Sequence, residues 1–221
     1  MLNFRREKKL IKKIKRPILA LDEAGRGPLA GPVAVGGVLM DGHAFSKNEL
    51  FRDGWWKKVN DSKKLSAKRR VELASKIKEA FPSCVVLVSA VFIDQNGIAA
   101  AIREAAEKVF LNLVKGNPLV MIDGREKFLR FDEIDQRSFI GGDGIFFSIA
   151  CASILAKVKR DEYMDLMAKR WPEYEFEKNK GYGTARHLEA ISNLGPCSLH
   201  RFSYAPLKNR ASRKSFFLSK L

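Results

Sequence analysis

The sequence predicts an α/β fold built on a mixed sheet, and three features carry that expectation. Two apolar strands joined by a glycine- and proline-rich loop come first, and strand–helix–strand units follow. The prominent acids sit at or just beyond strand ends, where sites gather in open α/β sheets.

In chain order, residues 1–16 are a basic arm, helical or frayed, with Leu10, Ile11 and Ile14 on one side. Pro17 to Asp22 is a short apolar strand that runs into Asp22 and Glu23, then into Gly25, Gly27, Pro28, Gly31 and Pro32. A second apolar run to residue 40 completes a hairpin. Leu65, Leu73, Ile77 and Phe81 keep helical spacing over 65–81, and Pro82 ends that helix. "SCVVLVSAVF" (83–92) is rich in β-branched residues and reads as a buried strand. Ile98, Ile102, Ala105, Val109 and Leu113 predict a helix over 97–114. "PLVMIDG" (118–124) is another buried strand ending on an acid, and residues 147–171 form a long helix. Residues 185–194 form a shorter helix with Gly195 as its C-cap.

The chain of 221 residues is long enough for one well-buried domain. Lys and Arg number 41 against 25 Asp and Glu, a formal net charge of +16, so a polyanionic partner is expected, nucleic acid first among them. No apolar run approaches the roughly 20 residues of a membrane span. The opening MLNFRREKKLIKKIKR is too charged for a signal peptide, so cytoplasmic residence is expected. No stripe predicts a dimer seam, which leaves a monomer as the expectation. Cys84, Cys151 and Cys197 are too far apart for a disulfide framework or a CxxC zinc pattern, and Cys84 and Cys151 sit in apolar runs as core residues. His43, His187 and His200 are equally scattered, which argues against a His-rich zinc site.

The carboxylates carry the chemistry. Asp22 and Glu23 end the first strand, Asp123 ends "VMID", and Asp143 lies in "IGGDGIFF" ahead of the long helix. Carboxylates converging from separate strands resist ionising together, and a divalent cation removes that penalty; hard oxygen donors suit Mg²⁺ or Mn²⁺. Neighbouring strand residues point to opposite faces, so Asp22 and Glu23 can serve one metal site only if the strand breaks there, which the following glycines permit. Singly, a strand-end Asp is more often a turn or cap residue. Several on a basic chain point to metal-assisted phosphodiester hydrolysis. Gly25-Arg26-Gly27-Pro28-Leu29-Ala30 also fits a dinucleotide-binding pattern, but a strand follows instead of a helix, and two preceding acids would repel a pyrophosphate. A junction resolvase on a similar fold, or a basic binding protein with structural acids, are the competing classes.

The blocks "LDEAGRGPLAGPVAV", "NDSKKLSAKRR", "VMIDG", "GGDGIFFSIACASILAKVKRDEYM", "NKGYGTARHLEAI" and "LHRFSYAPLK" resemble, in order, those of ribonuclease HII, the type 2 ribonuclease H. The resemblance covers residues 17–208. It implies a ribonuclease H-like fold: a mixed central sheet flanked by helices, with a C-terminal helical extension. It implies Mg²⁺- or Mn²⁺-dependent endonucleolytic cleavage of RNA in RNA–DNA hybrids and at single ribonucleotides embedded in duplex DNA, leaving 3′-hydroxyl and 5′-phosphate ends. Carried over by position, the catalytic metal ligands are Asp22, Glu23, Asp123 and Asp143. Gly25, Arg26 and Gly27 form the loop that meets the 2′-hydroxyl, the group that distinguishes RNA from DNA, and the phosphate beside it. Tyr182 stacks on the sugar at the junction, and Lys63, Lys64 and Lys180 contact phosphate. Arg160 and Asp161 read as structural members of a family block.

The sequence departs from the family pattern where Gly141-Gly142 precedes Asp143 in place of Lys-Gly, which removes one positive charge. Phe202, Tyr204 and Ala205 stand where arginine, phenylalanine and glycine are more usual. The arm (1–16) and the tail (209–221) lie outside the resemblance. Phe216-Phe217 in the tail could dock a sliding clamp, but the upstream glutamine and aliphatic residue of such motifs are absent, and packing on the domain is the better reading.

Overall fold

The computed structural model describes residues 2–42, 51–131 and 133–209. His43 and Phe216-Phe217 lie outside them. The chain divides into two compact units. One holds the N-terminal segment through Ala24, Ala34–Val86 and Ile102–Lys159; the other holds Gly25–Val33, Leu87–Ala101 and the chain from Arg160 onward.

The strands are β1 (Ile18–Ala24), β2 (Val33–Met40), β3 (Ser83–Val88), β4 (Leu119–Asp123) and β5 (Gln136–Phe139). They form one sheet in the order β3-β2-β1-β4-β5. β1 pairs antiparallel with β2 and parallel with β4, and β4 pairs parallel with β5, so the sheet is mixed. The helices are α1 (Arg5–Ile14), α2 (Ala67–Ala80), α3 (Ala90–Asn96), α4 (Ile98–Leu113), α5 (Phe147–Ala168), α6 (Phe176–Asn179) and α7 (Ala185–Leu194).

The expected run 83–92 divides. Its first half is β3, but the Ser89 side chain accepts the Phe92 N–H and starts α3, so residues 90–92 are helical. β5 carries no strand signal in the sequence, because QRSF has no apolar alternation; among the described residues it is an edge strand beside β4. Cys84 is half-buried and not a core residue, because it lies on edge strand β3, whereas Cys151 is fully buried in α5.

In the first unit, α5 is apolar nearly all round over its first turns: Phe147, Ile149, Ala150, Cys151, Ala152, Ile154, Leu155 and Ala156 are buried. A helix of that kind belongs inside. Gly36 makes room for it. A Cβ there would collide with the Ala152 carbonyl and stand 3.0 Å from the Ala156 nitrogen. On the other face a Cβ on Gly37 would strike Val109 and stand 3.2 Å from Leu113, both on α4. Consecutive strand residues face opposite ways, so the pair of glycines lets both helices lie close on β2. The N-terminal turn of α5 is capped from α1: the Glu7 carboxylate accepts the Ser148 N–H at 2.9 Å and its hydroxyl at 3.0 Å.

In the second unit, Leu29, Met164, Tyr174, Phe176, Ile191 and Leu207 form the apolar centre. Thr184 caps α7 by accepting the His187 N–H, and Gly195 ends it. The Asp94 carboxylate of α3 accepts the Phe202 and Ser203 N–H groups at 3.0 and 2.9 Å. Among the described residues, no helix is long and apolar enough to cross a membrane.

Gly36→Ala is expected to lower the unfolding free energy by ~1–3 kcal/mol, because the new methyl meets helix backbone that cannot swing aside. Gly42→Ala, where a Cβ meets nothing, should stay within ~0.5 kcal/mol. Urea denaturation of the two variants checks the difference.

Candidate active site

Parallel pairing of β1 with β4 ends at Leu21 opposite Ile122. The next residues on each strand are Asp22 and Asp123, so the register brings two carboxylates from distant sequence to one end of the sheet. Asp143 joins them through the backbone: the Asp123 Oδ1 accepts the Gly142 N–H at 2.7 Å, docking the 3-10 turn Gly142–Gly144. A Cβ on Gly142 would stand 2.7 Å from Ile149 Cδ1, and Gly141 has φ 65°, a conformation glycine adopts without strain. The Gly-Gly departure therefore suits the turn that carries Asp143.

Asp22 and Asp143 are buried, and Glu23 and Asp123 are half-buried. Burial pushes the Asp22 carboxyl well above its ordinary value. The charges of Glu23 and then Asp123 push it further, against hydrogen bonds from Ser153 and the Glu23 N–H. Burial raises Asp143 too, with Asp123 and Asp61 adding to it, while Lys63 and the Gly144 N–H oppose. Among the described residues, no three His, Cys, Asp or Glu side chains form a ready-made cation cage. The donors still fit a hard divalent cation: all are carboxylate oxygens, and their mutual repulsion is what such a cation would cancel. Lys63 and Lys64 lie on the 3-10 turn Ser62–Lys64, with Lys63 close enough to act on Asp143.

The other residues expected to bind substrate, Gly25, Arg26, Gly27, Lys180 and Tyr182, belong to the second unit, where Arg201 and His200, unmarked in the sequence, hold some of them. Gly25 is buried with φ 93°, whereas Arg26 and Gly27 are exposed. The buried Arg201 guanidinium holds this loop by its carbonyls. It donates to Gly25 O at 2.7 Å, Arg26 O at 3.0 Å, Gly31 O at 3.0 Å and Pro32 O at 3.1 Å. Arg160 donates to Pro32 O at 3.0 Å and Ala30 O at 3.1 Å. A Cβ on Gly25 would collide with the Arg160 side chain. Burial first, and the Arg201 charge second, bring Arg160 down to about 10. Two guanidiniums on carbonyls make the loop electropositive. The signal for a buried Arg160 was present: Ala152, Ala156, Arg160 and Met164 are buried at four-residue spacing on one helix face.

Tyr182 is 45% exposed, and its ring centroid is 5.9 Å from the Arg160 guanidinium. Its carbonyl is fixed by a buried pair of histidines. Cys197 donates its N–H to His200 Nδ1 at 2.9 Å, which leaves the proton of neutral His200 on Nε2. That proton faces His187 Nε2 at 3.1 Å, and His187 Nδ1 then donates to Tyr182 O at 2.8 Å. Lys180 is paired with Asp165, which offsets the charge it was expected to offer to phosphate.

The mixed sheet with its flanking helices is a fold of the ribonuclease H-like class. Residues 19–207 match the family model for Ribonuclease HII, and the chain belongs to the ribonuclease HII family. A Ribonuclease HII of Caldicellulosiruptor bescii is 42% identical over 208 residues, 93% of this chain and 94% of that one. Another, from Bradyrhizobium diazoefficiens, is 40% identical over 93% of this chain and 74% of its own. The ribonuclease H2 of Pyrococcus horikoshii superposes with TM-score 0.65 at 24% identity, covering 87% of this chain and 95% of that one. The RNase HII in a PCNA complex from Archaeoglobus fulgidus gives 0.66 at 23% identity, covering 90% and 100%. The chain is accordingly an endoribonuclease acting on the RNA strand of RNA–DNA hybrids.

Two outcomes follow from the second unit. Arg201→Lys, which cannot span four carbonyls, should cost ~2–4 kcal/mol of stability in urea denaturation. The other concerns His187, whose folded-state value burial holds below the ordinary 6.5. Its stabilisation is present above about pH 6.5 and is lost as pH falls through the folded value, because the unfolded chain takes up the proton first. His187→Phe should flatten that acid limb of a stability–pH curve.

Proposed function

We propose that this chain incises duplex DNA on the 5′ side of single embedded ribonucleotides as well as cutting long hybrids. The reaction is hydrolysis assisted by two Mg²⁺ or Mn²⁺ ions and leaves 3′-hydroxyl and 5′-phosphate ends. Residues 17–208 act as the catalytic domain. The observation that carries the reading is the shared repulsion of Asp22 with Glu23 and Asp123, and of Asp143 with Asp123. Carboxylates so disposed gain from a cation that cancels their repulsion.

Asp22, Glu23, Asp123 and Asp143 would hold the cations. When bound, these supply an activated water and charge stabilisation at the leaving oxygen. The chain's own residues do the selecting. A Cβ at Gly27 would meet nothing, so the exposed Gly27 main chain can be approached by a 2′-hydroxyl and its phosphate, while Arg201 and Tyr204 hold the Arg26 carbonyl. The cationic backing from Arg160 and Arg201 favours that phosphate. Tyr182 offers its exposed ring to the sugar, and Lys63 and Lys64 offer charge to the backbone. In this reading the segment that would meet a sliding clamp is the tail with Phe216-Phe217; the related Archaeoglobus fulgidus protein is known in a complex with PCNA.

The test is cleavage of duplex DNA carrying one ribonucleotide, with Mg²⁺, Mn²⁺ or EDTA. The native chain should cut 5′ of the ribonucleotide in either metal and fail in EDTA. Asp123→Asn should lose at least ~100-fold in rate. Tyr182→Ala should lose ~10-fold more on the single ribonucleotide than on a long hybrid. Binding without cutting in both metals would remove the hydrolytic reading.

A further inference from the structure

Helix α1 lies before residue 19, where the family match begins. Its inner face is ordinary: Glu7 and Ile11 are buried, and Leu10 and Ile14 pack half-buried against the core. Its outer face is not. Arg5, Lys8, Lys9, Lys12 and Lys13 are all exposed, and the helix's only acid, Glu7, is turned inward. Among the described residues, none of Lys8, Lys9, Lys12 and Lys13 forms an ion pair. Like charges at four-residue spacing, here Lys8 with Lys12 and Lys9 with Lys13, destabilise a helix. A bound polyanion would cancel that repulsion.

The location says which polyanion. Glu7 is anchored to Ser148, and Arg6 donates to Ile145 O at 3.4 Å. Ile145 and Ser148 closely follow the turn that carries Asp143. A cavity of ≈ 350 Å³ is lined by Leu2, Asn3, Arg6, Asn60, Gly144 and Ile145, joining α1 to that turn. Asn60 leads into the loop bearing Lys63, whose charge acts on Asp143. The cationic face therefore begins beside the acid cluster. A helix of 10 residues runs about 15 Å, the axial length of roughly four base pairs.

We propose that the outer face of α1 binds the sugar-phosphate backbone of the duplex substrate where it passes the Asp143 turn, with the Asn3–Arg6–Asn60 cavity taking one backbone phosphate. This rests on the reading that substrate lies at the acid cluster. The basic arm then lengthens the footprint on the duplex without reading its sequence, as phosphate contacts do.

The experiment compares the native chain with a variant carrying Lys8→Gln, Lys9→Gln, Lys12→Gln and Lys13→Gln. Glutamine keeps helix propensity, and Tm checks the fold. Fluorescence anisotropy measures binding, in an Asp123→Asn background, to a ribonucleotide-containing duplex of about 30 base pairs and to one of about 8. The variant should weaken binding to the long duplex about tenfold and lose less on the short one. Its log K against log salt should flatten by ~0.9 for each phosphate contact removed. An unchanged affinity and slope on the long duplex, or an equal loss at both lengths, would overturn the proposal. Cleavage by the chain with Asp123 intact separates the two readings. If it cuts but the lysines are silent, only the role of α1 fails. If it cuts nothing while binding still depends on the lysines, the surface stands and the proposed function falls.

Discussion

Asp22 and Asp123 repel each other across two parallel strands, and neither strand is free to relieve it. β1 is held on one side by β2 and on the other by β4, so the register that buries Leu21 and Ile122 also fixes the carboxylates that follow them. Asp143 is tied in by a backbone hydrogen bond to Asp123 itself. Burial first, and the neighbouring Glu23 and Asp123 charges after it, therefore hold the Asp22 carboxyl above its ordinary range at the carboxyl end of the sheet.

Close approach is the second constraint, and it falls on few positions. Gly36 and Gly37 admit one helix to each face of β2, which keeps α5 near Asp22 through Ser153. Gly142 admits Asp143 beside Asp123. A side chain at Gly36 would push away the helix that supports the acid cluster, so the glycines of this chain serve the site by keeping backbone close to backbone.

In the second unit the same problem is solved with donors. The loop Gly25–Pro32 presents carbonyls inward, and buried carbonyls need partners. Arg201 and Arg160 supply them with forked guanidiniums that a lysine cannot imitate. The histidine pair does the same for the Tyr182 carbonyl with neutral rings, which cost less to bury than charges. Loop and tyrosine are thus held by their main chains, leaving Arg26, Gly27 and the Tyr182 ring facing outward.

Much was legible locally. The hairpin, the strand ending at Asp123 and the helices around Ile77, Val109 and Ile154 follow from periodicity; Asp22, Glu23 and Asp123 marked themselves by ending apolar runs, and Asp143 by the glycines around it ahead of the long helix, on a chain of charge +16. β5 and the helical turn after Ser89 did not, because an edge strand needs no apolar alternation and a short helical turn can read as strand. The sequence by itself determined which side chains could do the chemistry, since carboxylates, glycines and cations act by type. Only the tertiary structure decided whom they meet: Glu7 caps Ser148 across 141 residues, Arg201 finds Gly25 across 176, and Lys180 is drawn to Asp165. Those pairings depend on strand register and helix facing, which distant parts of the chain settle together and no short stretch records.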